Sequence, residues 1–544
     1  MSQIKFLMER IRVSIDSSDE MIANNAEEKM KRMGINTSTL HFRLYKKSID
    51  ARNKQDIRFE CAVLVEGSIP PKLLTERMLA RLQARVLHEE EPTITFGTEP
   101  MAASPVVVGM GPAGLFASLL LAQNGYSPIL IDRGGSIAER AADVSRFRDD
   151  GILNTESNVQ FGAGGAGTFS DGKLITRIND PLCNYVLKSL VAFGAPEDIC
   201  IKAKPHIGTD ILRVVVDNIL QEIERLGGRV IYHCRMDEIR ESPDKTLAVK
   251  TTKGDLSAGA LLLAPGHSAR DTYRYLIEQN YAIEAKPMSV GVRVEHLQKD
   301  IDRALYRDFA GHPNLGPAEY ALSDTKGNRG VYTFCMCPGG EVVAAASEEG
   351  GLVVNGMSYH ERNGSNANAA VAVSVRCDDY EKEEGSIPMG AITFQRRIER
   401  AAFLAGGSDY YAPIMTMQNF LGETSTSIKG RVMPSYRAGK VRESDFTQVF
   451  PSFVTESLRY GFRSFGKKIN GFDAPDTMLT AAETRTSAPI RILRNKDTMT
   501  AVGHPLIYPC GEGAGYAGGI TSAAVDGLRA AMALMSAKAP AKES

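Results

Sequence analysis

No apolar run in this 544-residue chain approaches the length of about 18 residues that a membrane-spanning helix needs. The first stretch, MSQIKFLMERIRVSI, is broken by Lys5, Glu9, Arg10 and Arg12 where a signal peptide would carry an uninterrupted apolar core. Both absences lead us to expect a soluble, cytoplasmic protein with no membrane partner. An excess of one charge is missing too: 64 Lys and Arg stand against 65 Asp and Glu, a formal net charge of −1, so bulk basicity does not argue for nucleic acid or an anionic surface. Cysteine is sparse, at eight residues, with neither a C-x-x-C pair nor a paired metal-ligand spacing. No metal site is expected, and in a reducing compartment most of these thiols read as small buried hydrophobes. Internal repeats and low-complexity tracts are absent as well. What remains is an ordinary globular composition, 43% hydrophobic, long enough for about two to four domains.

The most informative stretch is VVVGMGPAG, residues 106 to 114, followed by a helical run and then ILIDRG. It reads as a strand, a G-x-G-x-x-G turn at Gly109, Gly111 and Gly114, a helix with Pro112 and Ala113 in its first turn, and a second strand closed by Asp132 and Arg133. The first glycine allows the tight turn, the second lets a pyrophosphate approach the backbone, and the third lets the helix pack close to the strand. Phosphates then sit on a helix N-terminus. Asp132, 23 residues after Gly109, is placed to take a ribose hydroxyl of an adenine dinucleotide. A glycine-rich turn without a ligand is the plainer alternative.

That unit does not separate FAD from NAD, but the far end of the chain does. Residues 507 to 527, IYPCGEGAGYAGGITSAAVDG, pair a short strand with Gly511 and Glu512, a glycine-rich turn through Ala517, Gly518 and Gly519, and a helix starting near Ile520. In two-dinucleotide-fold flavoproteins such a turn bonds the ribityl chain, and the next helix aims its dipole at the flavin pyrimidine edge. The buried-strand run AGALLLAPG ends in Pro265 and Gly266, where such folds bring the chain back against the cofactor. With these motifs and KKSIDARNKQDIRF, VQFGAGGAGTFSDGKL, APGHSARDTY, YTFCMCPGG and ETRTSAPIRI, the chain resembles, over nearly its whole length, the FAD-dependent dehydrogenase (NAD(FAD)-utilising dehydrogenase) family of glutathione-reductase-like flavoproteins. The resemblance leaves the reaction open, while the turn at Gly111, Asp132 and the Glu512 turn, bracketing both ends of FAD, lead us to expect it bound non-covalently.

The expected class is α/β: a two-dinucleotide-fold FAD domain with an inserted α+β substrate domain and an N-terminal ferredoxin-like module. Residues 1–95 form that module, read as β-α-β-β-α from the alternation of Ile11, Val13 and Ile15, a helix capped at Ser17 or Ser18, the alternation Ile57 to Val65, and a helix opened by Pro70 and Pro71. Residues 101–284 begin the FAD domain, 285–474 form the substrate or cap domain, 475–535 return to the FAD domain, and 536–544 are a frayed tail. Strand RVIYHCRMDEI is expected to bring Met236 to the adenine. The basic run from Arg43 to Arg58 is a solvated strand face or a docking surface for a partner or RNA.

Candidate chemistry gathers in few places. FGAGGAGT, containing Gly164, Gly165 and Gly167, reads as a loop along the pyrophosphate and flavin. Lys173 either supports the anionic reduced flavin or is a surface lysine. His267 is a proton relay or fixes its turn through the backbone. Cys335 and Cys337, two apart in an expected strand, are a redox pair or two small packing residues on one face. Arg485 binds a substrate carboxylate or bridges domains. No second dinucleotide motif appears within 285–474, so no resident NAD(P) domain is expected; a small substrate, a transiently docked NAD(P)H or a protein partner would exchange electrons with the flavin. The expected function is a FAD-dependent oxidoreductase acting by hydride transfer on an unidentified small substrate, with an RNA-modifying or RNA-associated flavoprotein and a non-catalytic FAD sensor or scaffold as rivals.

Overall fold

The computed structural model describes residues 2–69, 75–87, 93–380, 387–423 and 430–541. It is a mixed α/β structure with several sheets. Five short parallel strands lie in the order Ile507–Pro509, Leu261–Leu263, Val106–Val108, Ile129–Ile131, Arg229–Ile231. The first four are buried at every residue, as strands covered on both faces must be. The helix Pro112–Gln123 is apolar on all sides and buried from Ala113 to Ala122. Helices Thr209–Arg225 and Ile520–Ala537 press on it, the latter so closely that a Cβ on Gly527 would sit 2.0 Å from the Ala113 carbonyl oxygen. The chain leaves strand 106–108 on one side for 129–131 and returns on the other at 261–263. A crevice opens at such a switch point, beyond the carboxyl ends of the strands.

The stretch RVIYHCRMDEI is two strands rather than one. Arg229–Ile231 ends the parallel sheet, and Met236–Glu241 begins a three-stranded antiparallel meander with Leu247–Thr251 and Gly254–Ala258. Between them His233 adopts φ +50°, and the His233 and Cys234 amides donate to the Gly134 and Asp132 carbonyls. That pairing turns the chain out of the sheet.

A second body is built on a seven-stranded sheet in the order Ser323–Asp324, Val331–Cys337, Asn366–Val375, Met288–Leu297, Met478–Glu483, Ala412–Thr416, Val441–Glu443. Strand Met478–Glu483 pairs along Met288–Leu297 and Ala412–Thr416, so this body continues past residue 474. No turn residue interrupts MLTAAETRTSA before Pro489, which is why patterning alone misplaces the boundary. The two chain crossings between the bodies are tied together, Ile283–Ala285 pairing antiparallel with Ile490–Ile492.

In the N-terminal module, strands lie in the order Leu40–Asp50, Arg58–Ile69, Ser2–Ser14, Ala84–Val86, with helices Asp19–Arg32 and Glu76–Leu82. Ser18 caps the first helix, its hydroxyl accepting from the Met21 amide. Pro70 and Pro71 lie outside the described residues. The final strand was not expected from the sequence. Five of the six basic residues from Arg43 to Arg58 have internal partners: Arg43 pairs with Glu66, Lys47 with Asp19, Arg52 with Asp50 and Arg58 with Asp56, while Lys54 donates to the Ala304 carbonyl. Its apolar core is continuous with that of the second body. The chain near 538–539 is not frayed: the Ala539 amide donates to the Glu99 carbonyl, and Lys538 pairs with Glu99. No helix among the described residues is long and apolar enough to cross a membrane.

Candidate functional site

Between the parallel sheet and the second body lies a cleft enclosing about 1450 Å³ of free space, its open mouth included. The turns after strands 106–108, 261–263 and 507–509 form one side, and Phe334, Cys335, Asn355 and Thr486 from the second body face them. Gly109 and Gly111 in the first turn are glycines for different reasons. Gly109 has φ +99°, and a Cβ there would meet the Ala264 carbonyl oxygen at 2.1 Å. Gly111 has an ordinary φ of −74°, and a Cβ there would find no protein atom nearer than the Gly165 Cα at 3.9 Å. Nothing in the protein requires that side chain to be missing, and Gly111 lines the cleft. Gly518 also lines it, with nothing within 4 Å of a would-be Cβ, whereas Gly266, equally open, already favours glycine through its φ of +79°.

Two helices begin on this cleft, Pro112–Gln123 and Ile520–Ala537, and neither has a side-chain cap. Their first amides lack intrahelical acceptors, and their dipoles favour negative charge. Pro112, Ala113, Gly519 and Ile520 all line the cleft, as do Gly165, Gly167, Pro265 and Gly511. Asp132 lies there too; its carboxylate accepts from the Met110 amide at 2.8 Å and the Gly134 amide at 2.9 Å. Two accepted bonds leave lone pairs free on a carboxylate.

Other sequence candidates do not line the cleft. Gly114 packs helix to strand, its missing Cβ 1.9 Å from the Gly109 carbonyl oxygen. Gly164 faces Thr168 and supports the loop by donating to the Met110 carbonyl. Arg133 stacks on Phe161 and pairs with Asp271. Met236 is core, in a cluster with Val108, Ile131 and Leu263, and Ala517 packs against the other core of the parallel sheet. The sequence reading overlooked Arg140, which is fully buried and donates to the carbonyls of Asn158, Val159 and Ala163 at 2.6–2.9 Å, shaping the glycine-rich loop from behind. Burial brings its guanidinium down to about 9. An arginine on an amphipathic helix carries no sequence mark for such a role.

At the third turn, Glu512 lines the cleft, and burial pushes its carboxyl up to about 7 against the opposing pull of Lys286. His267 lines it as well, its Nδ1 3.0 Å from the Ser268 hydroxyl. Burial, helped by Arg485 and Arg270, lowers the imidazole to about 4, so it is uncharged at neutral pH. Arg485 reaches the cleft wall, but its guanidinium is engaged with Glu399 at 3.1 Å and with Ser347. Arg270 binds the same Glu399 at 2.7 and 2.8 Å and Glu348 at 2.7 Å. Arg485 is therefore held within the second body, and it is Arg270, from the parallel-sheet body, that crosses to the shared Glu399 in a buried ionic knot.

The cysteines depart from the expected regular strand. Pairing with Asn366–Val375 slips between Phe334 and Cys337, and Cys335 takes φ +44°. Cys335 lines the cleft while Cys337 is completely buried. Arg293 donates to the Cys335 carbonyl at 2.8 Å, and Lys173 to the Met336 carbonyl. The hydrogen bond from Cys337, then Arg293 and Lys173, outweigh burial and nearby Glu483 and bring the Cys335 thiol down to about 6; Cys337 moves up. Burial works against the charge of Lys173, but Glu319 and Asp171 more than compensate and raise it above the usual lysine range. Lys173 is thus a cleft residue, not a free surface lysine.

Residues 287–486 match the family model described as FAD-dependent protein, C-terminal domain-like, a span that coincides with the seven-stranded body. An uncharacterized protein of Clostridium beijerinckii is 46% identical over 491 residues, 90% of this chain and 91% of its own. Among solved structures, CtdE in complex with FAD shares 9% identity over 81% of this chain and 87% of its own, with a TM-score of 0.32. The tetracycline destructase Tet(51) shares 10% over 79% and 80%, with a TM-score of 0.33. These two likenesses are too loose to transfer anything to this chain.

Proposed function

Because the chain belongs to a family of FAD-dependent proteins, and FAD is its cofactor, we propose that it is an oxidoreductase whose small substrate enters the cleft between the parallel sheet and the seven-stranded body. The observation that carries this reading is the pair of uncapped helix N-termini opening on one cleft, with glycines whose missing side chains no protein atom demands. That cradle fits a long, anionic ligand that must touch backbone. The wider architecture we favour is a two-dinucleotide-fold FAD domain carrying an inserted substrate domain, with a ferredoxin-like module at the N-terminus.

In this reading the amides after Gly111 receive the diphosphate, Asp132 spends its remaining lone pairs on a ribose hydroxyl, and Glu512 with the Ile520 helix terminus holds the flavin end. FAD, bound non-covalently, supplies hydride acceptance and donation. The protein's own part is to orient, exclude water and manage protons. His267, uncharged at neutral pH and held through Ser268, takes a proton released by substrate. Glu512, titrating near 7, holds or yields a proton beside the cofactor. Lys173, paired with Glu319 and Asp171, keeps a fixed positive charge on the cleft wall. Acid precipitation should release about one FAD per chain from yellow protein. Folded, colourless protein that takes up NAD but not FAD would overturn the reading.

A further inference from the structure

We propose that Cys335 and Cys337 form a two-electron thiol–disulfide couple on this cleft, Cys335 meeting incoming thiols or disulfides and Cys337 resolving from behind. The proposal rests on the FAD-dependent reading above and adds a substrate class to it.

A regular strand would hold the two Cα atoms roughly 6.5 to 7 Å apart, at the edge of the disulfide range of about 4.4 to 6.8 Å. This strand is not regular there. The register slip between Phe334 and Cys337 inserts an extra residue, and Cys335 sits at φ +44°, a conformation that side-chain-bearing residues adopt when surroundings enforce it. Bulges of this kind re-aim side chains. Here the Cys337 thiol donates to the Cys335 carbonyl oxygen, which brings its Sγ within 3.3 Å of residue 335. The distortion is held by the two cations that grip consecutive carbonyls, Arg293 on residue 335 and Lys173 on residue 336. Arg293 is itself locked by Glu483 at 2.9 Å, Asn355 at 2.7 Å and Asn368 at 3.0 Å. The charged and titratable groups facing Cys335 are therefore Cys337, Arg293, Lys173 and Glu483, and the cations favour a thiolate.

Access is asymmetric, as a directed couple needs. Cys335 is half-buried on the cleft wall, whereas Cys337 has no exposed surface. On oxidation two S–H bonds break and one S–S bond forms, releasing two electrons and two protons that oxidised FAD, when bound, would accept. A substrate thiol then attacks the Cys335 sulfur and expels the Cys337 thiolate. A second substrate thiol displaces Cys335 from the mixed disulfide, so two substrate thiols leave as a disulfide and the protein regains its dithiol. Reversal of the same steps reduces a substrate disulfide.

Anaerobic dithionite titration of air-equilibrated holoprotein, with thiol-alkylation peptide mapping at each point, tests this. The wild type should take up about four electrons per flavin, with a 335–337 disulfide present at the start and absent at the end. Cys335→Ser and, independently, Cys337→Ser should take up about two. Two-electron uptake by the wild type with both thiols already alkylatable, or four-electron uptake by both variants, would overturn the couple while leaving FAD dependence intact. A preparation with no flavin band would instead sink the functional reading beneath it.

Discussion

Replacing Gly111 with valine separates the demands of the fold from those of a ligand at the first turn. The backbone at residue 111, φ −74° and ψ 178°, suits any residue, and the nearest protein atom to a new Cβ is 3.9 Å away. The fold should lose only what a β-branched N-cap costs, about 1 kcal/mol. The ligand should lose far more, because the side chain occupies the path by which a diphosphate reaches the helix amides. One or two charge-assisted hydrogen bonds at about 1.5–3 kcal/mol each correspond to roughly tenfold to a hundredfold weaker binding per bond. Gly109→Ala is the control. Its Cβ would overlap the Ala264 carbonyl oxygen at 2.1 Å, and φ +99° is hostile to a side chain, so fold and cofactor should fail together. Flavin-to-protein absorbance ratios and thermal unfolding of both variants give the answer. Full flavin occupancy in folded Gly111→Val would refute the phosphate assignment, and so would a loss of stability equal to that of Gly109→Ala.

Glu399→Gln should destabilise the protein by about 3–5 kcal/mol in denaturant unfolding, since it strips charge compensation from two buried arginines; a change below about 1 kcal/mol would show that the knot is not what joins the bodies. His267, held near 4, binds its proton less readily folded than unfolded, so its contribution to stability is present above about pH 6.5 and is lost as pH falls toward 4. His267→Gln should flatten that part of the stability–pH curve, although His206 and His296, also lowered to about 4, keep a slope of the same sign. Glu512 shifts the other way: its carboxyl is raised to about 7, so flavin-free protein should lose stability as pH climbs from about 4.5 through 7. Glu512→Gln should therefore raise the melting temperature more at pH 8 than at pH 5, and an equal gain at both would contradict burial as the cause.

The sequence disclosed the backbone of the site better than its walls. Strand, turn and helix around Gly109 and Gly111, and the return at Gly511 and Glu512, were legible because tight turns between a buried strand and a helix restrict residue type at fixed spacing. The run through Met236 read as one strand because its continuous β-rich pattern hid the turn at His233, which is set by backbone bonds to the 132–134 segment. The boundary near 474 slipped because Met478–Glu483 joins its sheet by long-range pairing that leaves no local punctuation. Cys335 and Cys337 showed their spacing but not their bulge, which depends on Arg293 and Lys173 arriving from distant segments. Arg140 and the Arg270–Glu399–Arg485 knot were illegible for the same reason: their partners are carbonyls and side chains far along the chain.

The most direct measurement is the electron density of the cleft in crystals grown from yellow, untreated protein. The account predicts one dinucleotide per chain, its diphosphate against the backbone at Gly111 and its flavin end beside Glu512 and the N-terminus of helix Ile520–Ala537. A clear cleft in fully coloured crystals, or FAD bound at another place in the chain, would contradict it.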